Sequence, residues 1–179
     1  YAVQKCLVAG FGSAGQSCIS VQRILVHEPI YSAFERKLLD GVASLKAGDP
    51  KDPATVVGPV IDAASADRIL SWLSEARSAG ARLLAGGTRE GNLVQPTVVA
   101  DADRGSKVSC QEVFGPVVTL GRYRDFEEAV RMADDTAAGD YEGRVEVPGT
   151  AGGTLKSRGD LLSFISTFEE EIPKTAARV

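Results

Sequence analysis

With 179 residues, 44% hydrophobic and 25% charged, and a formal net charge of -4, the chain has the make-up of one ordinary globular domain with a real core. Its charges of both signs are interspersed, so no basic patch suits a phosphate backbone and nucleic acid is not an expected partner. No apolar stretch approaches the roughly 20 residues that a membrane helix needs, so no membrane span is expected.

The chain opens with Tyr1-Ala2-Val3, without the charged region and apolar core of a signal peptide, and reads as a segment beginning mid-sequence. Lys5 to Ala9 is short and apolar, Gly10, Gly12 and Gly15 follow it, and a helix is expected to start at Gln16. Arg23 to Val26 reads as a buried strand, with His27 at the surface after it. Phe34, Leu38, Val42 and Leu45 recur at helical spacing and predict a helix over Tyr31–Ala47, stopped by Gly48-Asp49-Pro50. A proline-bearing connection leads to a second helix over Ala63–Ala79, with Ile69, Leu70, Leu73 and Ala76 inward and Gly80 as its C-terminal cap. Strands are predicted at Arg82–Ala85, Pro96–Ala100 and Val117–Leu120, with a turn at Gly86-Gly87 after the first. A helix near Phe126–Ala133 follows, capped by Asp125. Beyond Thr136 glycine, threonine and charge dominate until Leu161, where Leu161, Leu162, Phe164, Ile165 and Phe168 suggest a last amphipathic helix. Strands alternating with helices argue for an α/β fold, a layered sheet with flanking helices.

Cys6, Cys18 and Cys110 are odd in number and form no C-x-x-C pair, which disfavours a disulfide framework or a thiolate zinc site. A reducing, cytoplasmic setting is the default that follows. The single histidine, His27, removes most Cys-His, Ser-His and metal designs, and no metal is expected.

Gly10-Phe11-Gly12-Ser13-Ala14-Gly15 matches G-x-G-x-x-G, but the strand at Arg23 follows too soon for the crossover helix of a dinucleotide fold. The consistent alternative is that these glycines let the backbone turn tightly beside a reactive side chain. Cys18 is that side chain. Cys6 and Cys110 read as small buried hydrophobes, whereas Cys18, placed at the first turn of the expected short helix, would meet unpaired N–H groups and a dipole that favour thiolate.

Phe11-Gly12-Ser13-Ala14-Gly15-Gln16-Ser17-Cys18 resembles the nucleophile segment of the NAD(P)-dependent aldehyde dehydrogenase family, Gly-Gln-x-Cys being its most telling part. Further landmarks follow in the family's order: Lys46-Ala47-Gly48-Asp49-Pro50 with Val57-Gly58-Pro59, Gly80-Ala81 and Gly86-Gly87, Gln95-Pro96-Thr97, and Gln111-Glu112-Val113-Phe114-Gly115-Pro116-Val117. The resemblance covers residues 1–136, which it marks as a partial catalytic domain, and leaves 137–179 as a divergent or internally shortened tail. Faint echoes return there at Gly152–Ser157 and Ile172–Thr175.

The resemblance implies a mechanism. A thiolate attacks an aldehyde carbonyl, the thiohemiacetal gives hydride to the nicotinamide of NAD or NADP, and water hydrolyses the thioester. Cys18 takes the place of the nucleophile, with its own backbone N–H as one oxyanion donor. Glu112 is implied to accept hydrogen bonds from the nicotinamide ribose, and Phe114 to pack nearby. The family's dinucleotide domain, general-base glutamate and oxyanion asparagine precede the nucleophile segment, so these residues alone are expected to be inactive in hydride transfer. The partner is then a small-molecule aldehyde. Two other readings stand beside this one. One is a non-catalytic scaffold whose exposed sheet edges favour a homo-oligomer, the other a residual thiol esterase.

Overall fold

In the computed structural model, residues 1–134, 143–145 and 153–155 are described. The chain falls into two compact units, Tyr1–Ala129 and Val130–Val179. The first holds a four-stranded sheet in the order β1-β6-β5-β2, formed by Arg23–His27, Val117–Tyr123, Thr97–Ala100 and Arg82–Ala85. β1, β6 and β5 run parallel, with Arg23 opposite Thr119 and Thr97 opposite Val117, and β2 closes the edge antiparallel to β5. In the second unit, Gly143–Val145 (β7) pairs antiparallel with Gly153–Leu155 (β8).

The sheet of the first unit is covered on both faces, which is why every residue of β5 is buried. Because alternate residues of a strand point to opposite faces, Val98, Val118 and Leu120 join a core with Leu7, Phe11, Leu38 and Val42. Those partners come from two helices, α1 (Ala2–Phe11) and α2 (Glu28–Ala43). Val99 and Val117 face the other way and pack with Ile69, Leu73 and Ala76 of α3 (Ala63–Ser78). The expected α/β sheet with flanking helices is what forms.

The short apolar stretch after Tyr1 is part of α1, a ten-residue helix whose inward residues Leu7, Gly10 and Phe11 lie three and four apart. It packs closely on its neighbours. A Cβ at Gly10 would lie 2.7 Å from a Val118 methyl, and one at Gly41 of α2 would overlap Leu7.

Several element ends differ from the sequence reading by one to three residues, β6 running on to Tyr123, and two helices differ more. The helix expected over Tyr31–Ala47 runs over Glu28–Ala43, with Pro29 in its first turn, where a missing N–H costs nothing. It stops early because the Lys46 carbonyl accepts from the N–H groups of Val56 and Val57 and so draws the chain out of the helix. The helix expected from Gln16 does not form. Ser13, Ala14 and Gly15 all hold positive φ (52°, 55° and 66°), a left-handed turn that directs the chain away from helical geometry.

α3 begins at Asp62, whose Oδ1 accepts from Ser65 N–H at 2.7 Å. A hairpin of β3 (Arg89–Glu90) and β4 (Leu93–Val94) and a four-residue helix, α4 (Lys107–Cys110), complete the connections. α5 (Phe126–Asp134) starts at Asp125 as expected: Asp125 accepts from Glu128 N–H at 2.8 Å, while Glu128 accepts from Arg124 N–H at 2.7 Å. The helix expected near Leu161–Phe168 lies outside the described residues.

Candidate active site

Cys18 is exposed and sits in a tight turn, with Ser20 N–H donating to the Ser17 carbonyl at 3.0 Å. Behind it the left-handed turn reverses the chain, and Val21 N–H and the Ser20 hydroxyl both return to the Ala9 carbonyl at 3.0 Å. The Ala9 carbonyl near the end of α1 is thus satisfied by the loop. Cys18 therefore lies beyond the C-terminal end of a helix rather than at the N-terminus of one, and the helix-dipole reason for a thiolate does not hold here. Among the described residues, its backbone N–H has no acceptor.

The side chain of Gln16 anchors this loop from the other direction. Its Oε1 accepts from Ile61 N–H at 2.8 Å, and its Nε2 donates to the Pro59 carbonyl at 3.4 Å. The segment so engaged follows the Val57-Gly58-Pro59 landmark.

Glu112 and Phe114 are exposed on the loop between α4 and β6. Phe114 holds a positive φ of 52°, unusual for an aromatic residue, and its side chain stays 41% exposed. Three side-chain hydrogen bonds from Gln22 hold the loop's backbone: Nε2 donates to the carbonyls of Val108 (3.1 Å) and Gln111 (2.7 Å), and Oε1 accepts from Val113 N–H (2.8 Å). Arg68 of α3 donates to the Val113 carbonyl at 2.8 Å while its guanidinium lies 4.7 Å from the centre of the Trp72 ring.

The two loops meet backbone to backbone. A Cβ on Gly15 would overlap the Gly115 carbonyl oxygen and lie 2.6 Å from its carbon, so only glycine allows this approach. A small cleft opens beside the contact, lined by Ser17, Ser20 and Gln22 on one side and by Glu112, Phe114 and Val117 on the other. Glu112 and Phe114 thus share a cleft with Ser17, the residue before Cys18, whereas Cys18 itself does not line it.

The other cysteines divide. Cys6 is half-buried on α1, and burial pushes its thiol pKa up. Cys110 is exposed rather than buried: it ends the short α4 and its Sγ donates to the Gly105 carbonyl at 3.4 Å. His27 ends β1 at the surface, stacked on Tyr123, with its Nε2 at 3.0 Å from the Arg124 carbonyl. Among the described residues no cluster of three His, Cys, Asp or Glu side chains is placed to hold a metal, and no helix is long and apolar enough to cross a membrane.

The anchoring roles of Gln16, Gln22 and Arg68 escaped the sequence reading, in which Gln16 figured only as a helix start and a motif residue. The only signal was two neutral amides flanking Cys18, each able to donate and accept at once and so to bridge backbone groups. Nothing in their spacing names the partner segments.

Known proteins match this arrangement. The description of the Aldehyde dehydrogenase family matches residues 1–143. The 3-sulfolactaldehyde dehydrogenase of Priestia aryabhattai is 41% identical over 129 residues, covering 72% of this chain and 27% of that protein. The NADP(+) succinate-semialdehyde dehydrogenase of Mycolicibacterium paratuberculosis is 40% identical over 141 residues, 77% of this chain and 30% of that one. Aldehyde dehydrogenase 21 of Physcomitrella patens, solved with the reaction product succinate, superposes with a TM-score of 0.74 at 38% identity, covering 79% of this chain and 29% of its own. The chain thus spans about 30% of the length of such relatives. With the landmarks in order, the two loops joined and the sheet superposable, the chain belongs to the aldehyde dehydrogenase family.

Proposed function

We propose that this chain carries the thiol-bearing part of an NAD(P)-dependent aldehyde dehydrogenase site, with Cys18 as nucleophile and Glu112 and Phe114 as cofactor contacts. The observation that carries this reading is the close backbone contact of Gly15 with Gly115, which joins the cysteine loop to the Glu112–Phe114 loop. Residues 1–136 form the catalytic portion in this assignment and 137–179 its altered tail.

The residues present fit a nicotinamide nucleotide. The Glu112 carboxylate is an exposed, acceptor-only group beside a cleft, suited to two ribose hydroxyl donors, and the Phe114 side chain offers a partly exposed ring to a planar heterocycle. When bound, the nicotinamide supplies the hydride acceptor.

Cys18, as thiolate, adds to the carbonyl carbon of a small aldehyde and forms a C–S bond, and the carbonyl electron pair moves to oxygen. The Cys18 backbone N–H is available to that oxygen as a donor. With a bound nicotinamide to accept it, hydride would leave the same carbon, which would restore the C=O bond and leave a thioester on Cys18. Water then cleaves the C–S bond, releasing the carboxylic acid and returning the sulfur. Relatives named for succinate semialdehyde and 3-sulfolactaldehyde suggest a small aldehyde bearing an anionic group. These 179 residues alone are expected to show no aldehyde turnover, since the family resemblance assigns the base and the second oxyanion donor to other segments.

The reading is tested with p-nitrophenyl acetate, which needs only the nucleophile. Acetyl transfer to Cys18, found by peptide mass spectrometry and abolished in Cys18→Ala, is expected. Equal acetylation of the exposed Cys110, or an unchanged rate in Cys18→Ala, would overturn it.

A further inference from the structure

The hydrogen bonds of Gln22 are unevenly directed. All three polar valences used by its side-chain amide go to the backbone of a single segment, Val108 to Val113, which brackets Glu112. The Gln22 carbonyl in turn accepts from Thr119 N–H at 2.7 Å, at the start of the β1–β6 pairing. Gln22 also lines the cleft shared with Glu112 and Phe114. Loop backbone without a strand partner ordinarily bonds to water and moves. Here one amide replaces that water on both sides of the carboxylate-bearing residue.

We propose that Gln22 is a positioning residue for the cofactor-facing loop, holding Glu112 and Phe114 in register with the cysteine turn. The idea rests on the reading of Glu112 and Phe114 as cofactor contacts. Gln22 touches no reacting atom. It acts through the Gln111 carbonyl and the Val113 N–H, fixing the peptide groups on either side of Glu112. Arg68 holds the Val113 carbonyl from the opposite side, so the peptide group after Val113 is not free to rotate when Gln22 is in place. The left-handed Phe114 follows directly, a conformation that an aromatic residue keeps only when its surroundings enforce it.

Two variants of the full 179-residue chain separate hydrogen bonding from packing. Gln22→Met keeps length and removes every hydrogen bond. As a carboxylate, Gln22→Glu would set a second oxygen against the Gln111 and Val108 carbonyls, so it is read in its protonated form, which keeps an acceptor for Val113 N–H and one donor. Amide exchange is read as the ratio of the Val113 rate to that of Leu120 in β6, and each variant's urea stability is measured beside it, because a strand amide follows global unfolding and a loop amide local opening. Gln22→Met should raise this ratio roughly tenfold or more, and protonated Gln22→Glu, read at about pH 4, should raise it less. A residue that merely fills space would give the opposite order, because methionine packs better than a carboxyl group. An unchanged ratio in Gln22→Met, or equal rises in both variants, overturns the proposal.

Fluorescence titration with NADH and NADPH supplies the functional arm. Any affinity that the wild-type chain shows should fall several-fold in Gln22→Met. If binding is equal in the two, positioning by Gln22 is refuted. If the wild type binds neither nucleotide, as the resemblance expects of residues without the dinucleotide domain, the exchange ratio alone decides whether Gln22 holds the loop.

Discussion

Replacing Gly15 by alanine strikes the point where the two loops touch. The residue has φ of +66°, a region that costs a side-chain-bearing residue roughly 1 kcal/mol. The new methyl would lie 2.6 Å from the Gly115 carbonyl carbon and 3.2 Å from the Gly10 oxygen, both backbone atoms that cannot rotate aside. Overpacking of this kind typically costs about 1–3 kcal/mol, so the two effects together should destabilise the fold by roughly 2–4 kcal/mol. With a urea slope of about 1–2 kcal/mol/M, the unfolding midpoint should drop by at least about 1 M. Trp72 is the only tryptophan and reports the transition by fluorescence. Gly12→Ala is the internal control: Gly12 has φ of -56° and ψ of 141°, and an added Cβ there meets nothing within 4 Å. That variant should stay within about 0.5 kcal/mol of wild type. A Gly15→Ala midpoint equal to that of Gly12→Ala would refute the claim that the loops are joined by backbone contact.

Further expectations concern stability. Tyr31 is buried, and that burial, with the nearby Glu35 carboxylate, pushes its phenol up to about 12. Between pH 10 and about 12 the unfolded phenol therefore ionises first and stability falls with rising pH. Tyr31→Phe should make that alkaline decline shallower, as read from urea midpoints near pH 8 and pH 11; an unchanged slope would count against the assignment. Hydrogen bonding to Ser65 holds the Asp62 carboxyl below its usual range. Its contribution is present above the ordinary carboxylate pKa and lost as pH falls through the depressed one. Asp62→Ala should lower the midpoint near neutrality, and the gap to wild type should close as the pH is lowered, whereas a gap constant with pH would show that the cap is not ionic.

The helices of the first unit were legible where periodicity was strong. Ile69, Leu73 and Ala76 announced the inward face of α3 and Gly80 its stop, whereas the Asp62 cap was not read. β2 was read to its exact residues because Gly86-Gly87 punctuates an apolar run. α1 was harder: its exposed positions include Val8 and Ala9, so the apolar stripe was not distinct. The Cys18 turn was misread as a helix start because glycine followed by polar residues resembles a cap. What decides the conformation is the set of positive φ values at Ser13 and Ala14, which neither residue type announces. Cys110 was taken as buried on composition alone, but it ends a four-residue helix with only Val108 buried. For the site, the family landmarks supplied the residues, and their meeting depends on which strand lies beside β1, a pairing that local sequence does not encode.

That pairing also sets a schedule. Gln22 and Val113 are 91 residues apart in sequence yet directly bonded, and the strands that bring them together, β1 and β6, run parallel. At a synthesis rate of roughly 5–20 residues per second, several seconds separate the appearance of the thiol segment from that of the loop that completes its surroundings. Contacts between such distant segments form late in folding. Until then the segment carrying Cys18 and Gln22 lacks the Val108–Val113 backbone to which Gln22 bonds. In the assignment proposed above, a nascent or proteolysed chain lacking β6 would carry the Cys18 sulfur without the loop that bears Glu112 and Phe114.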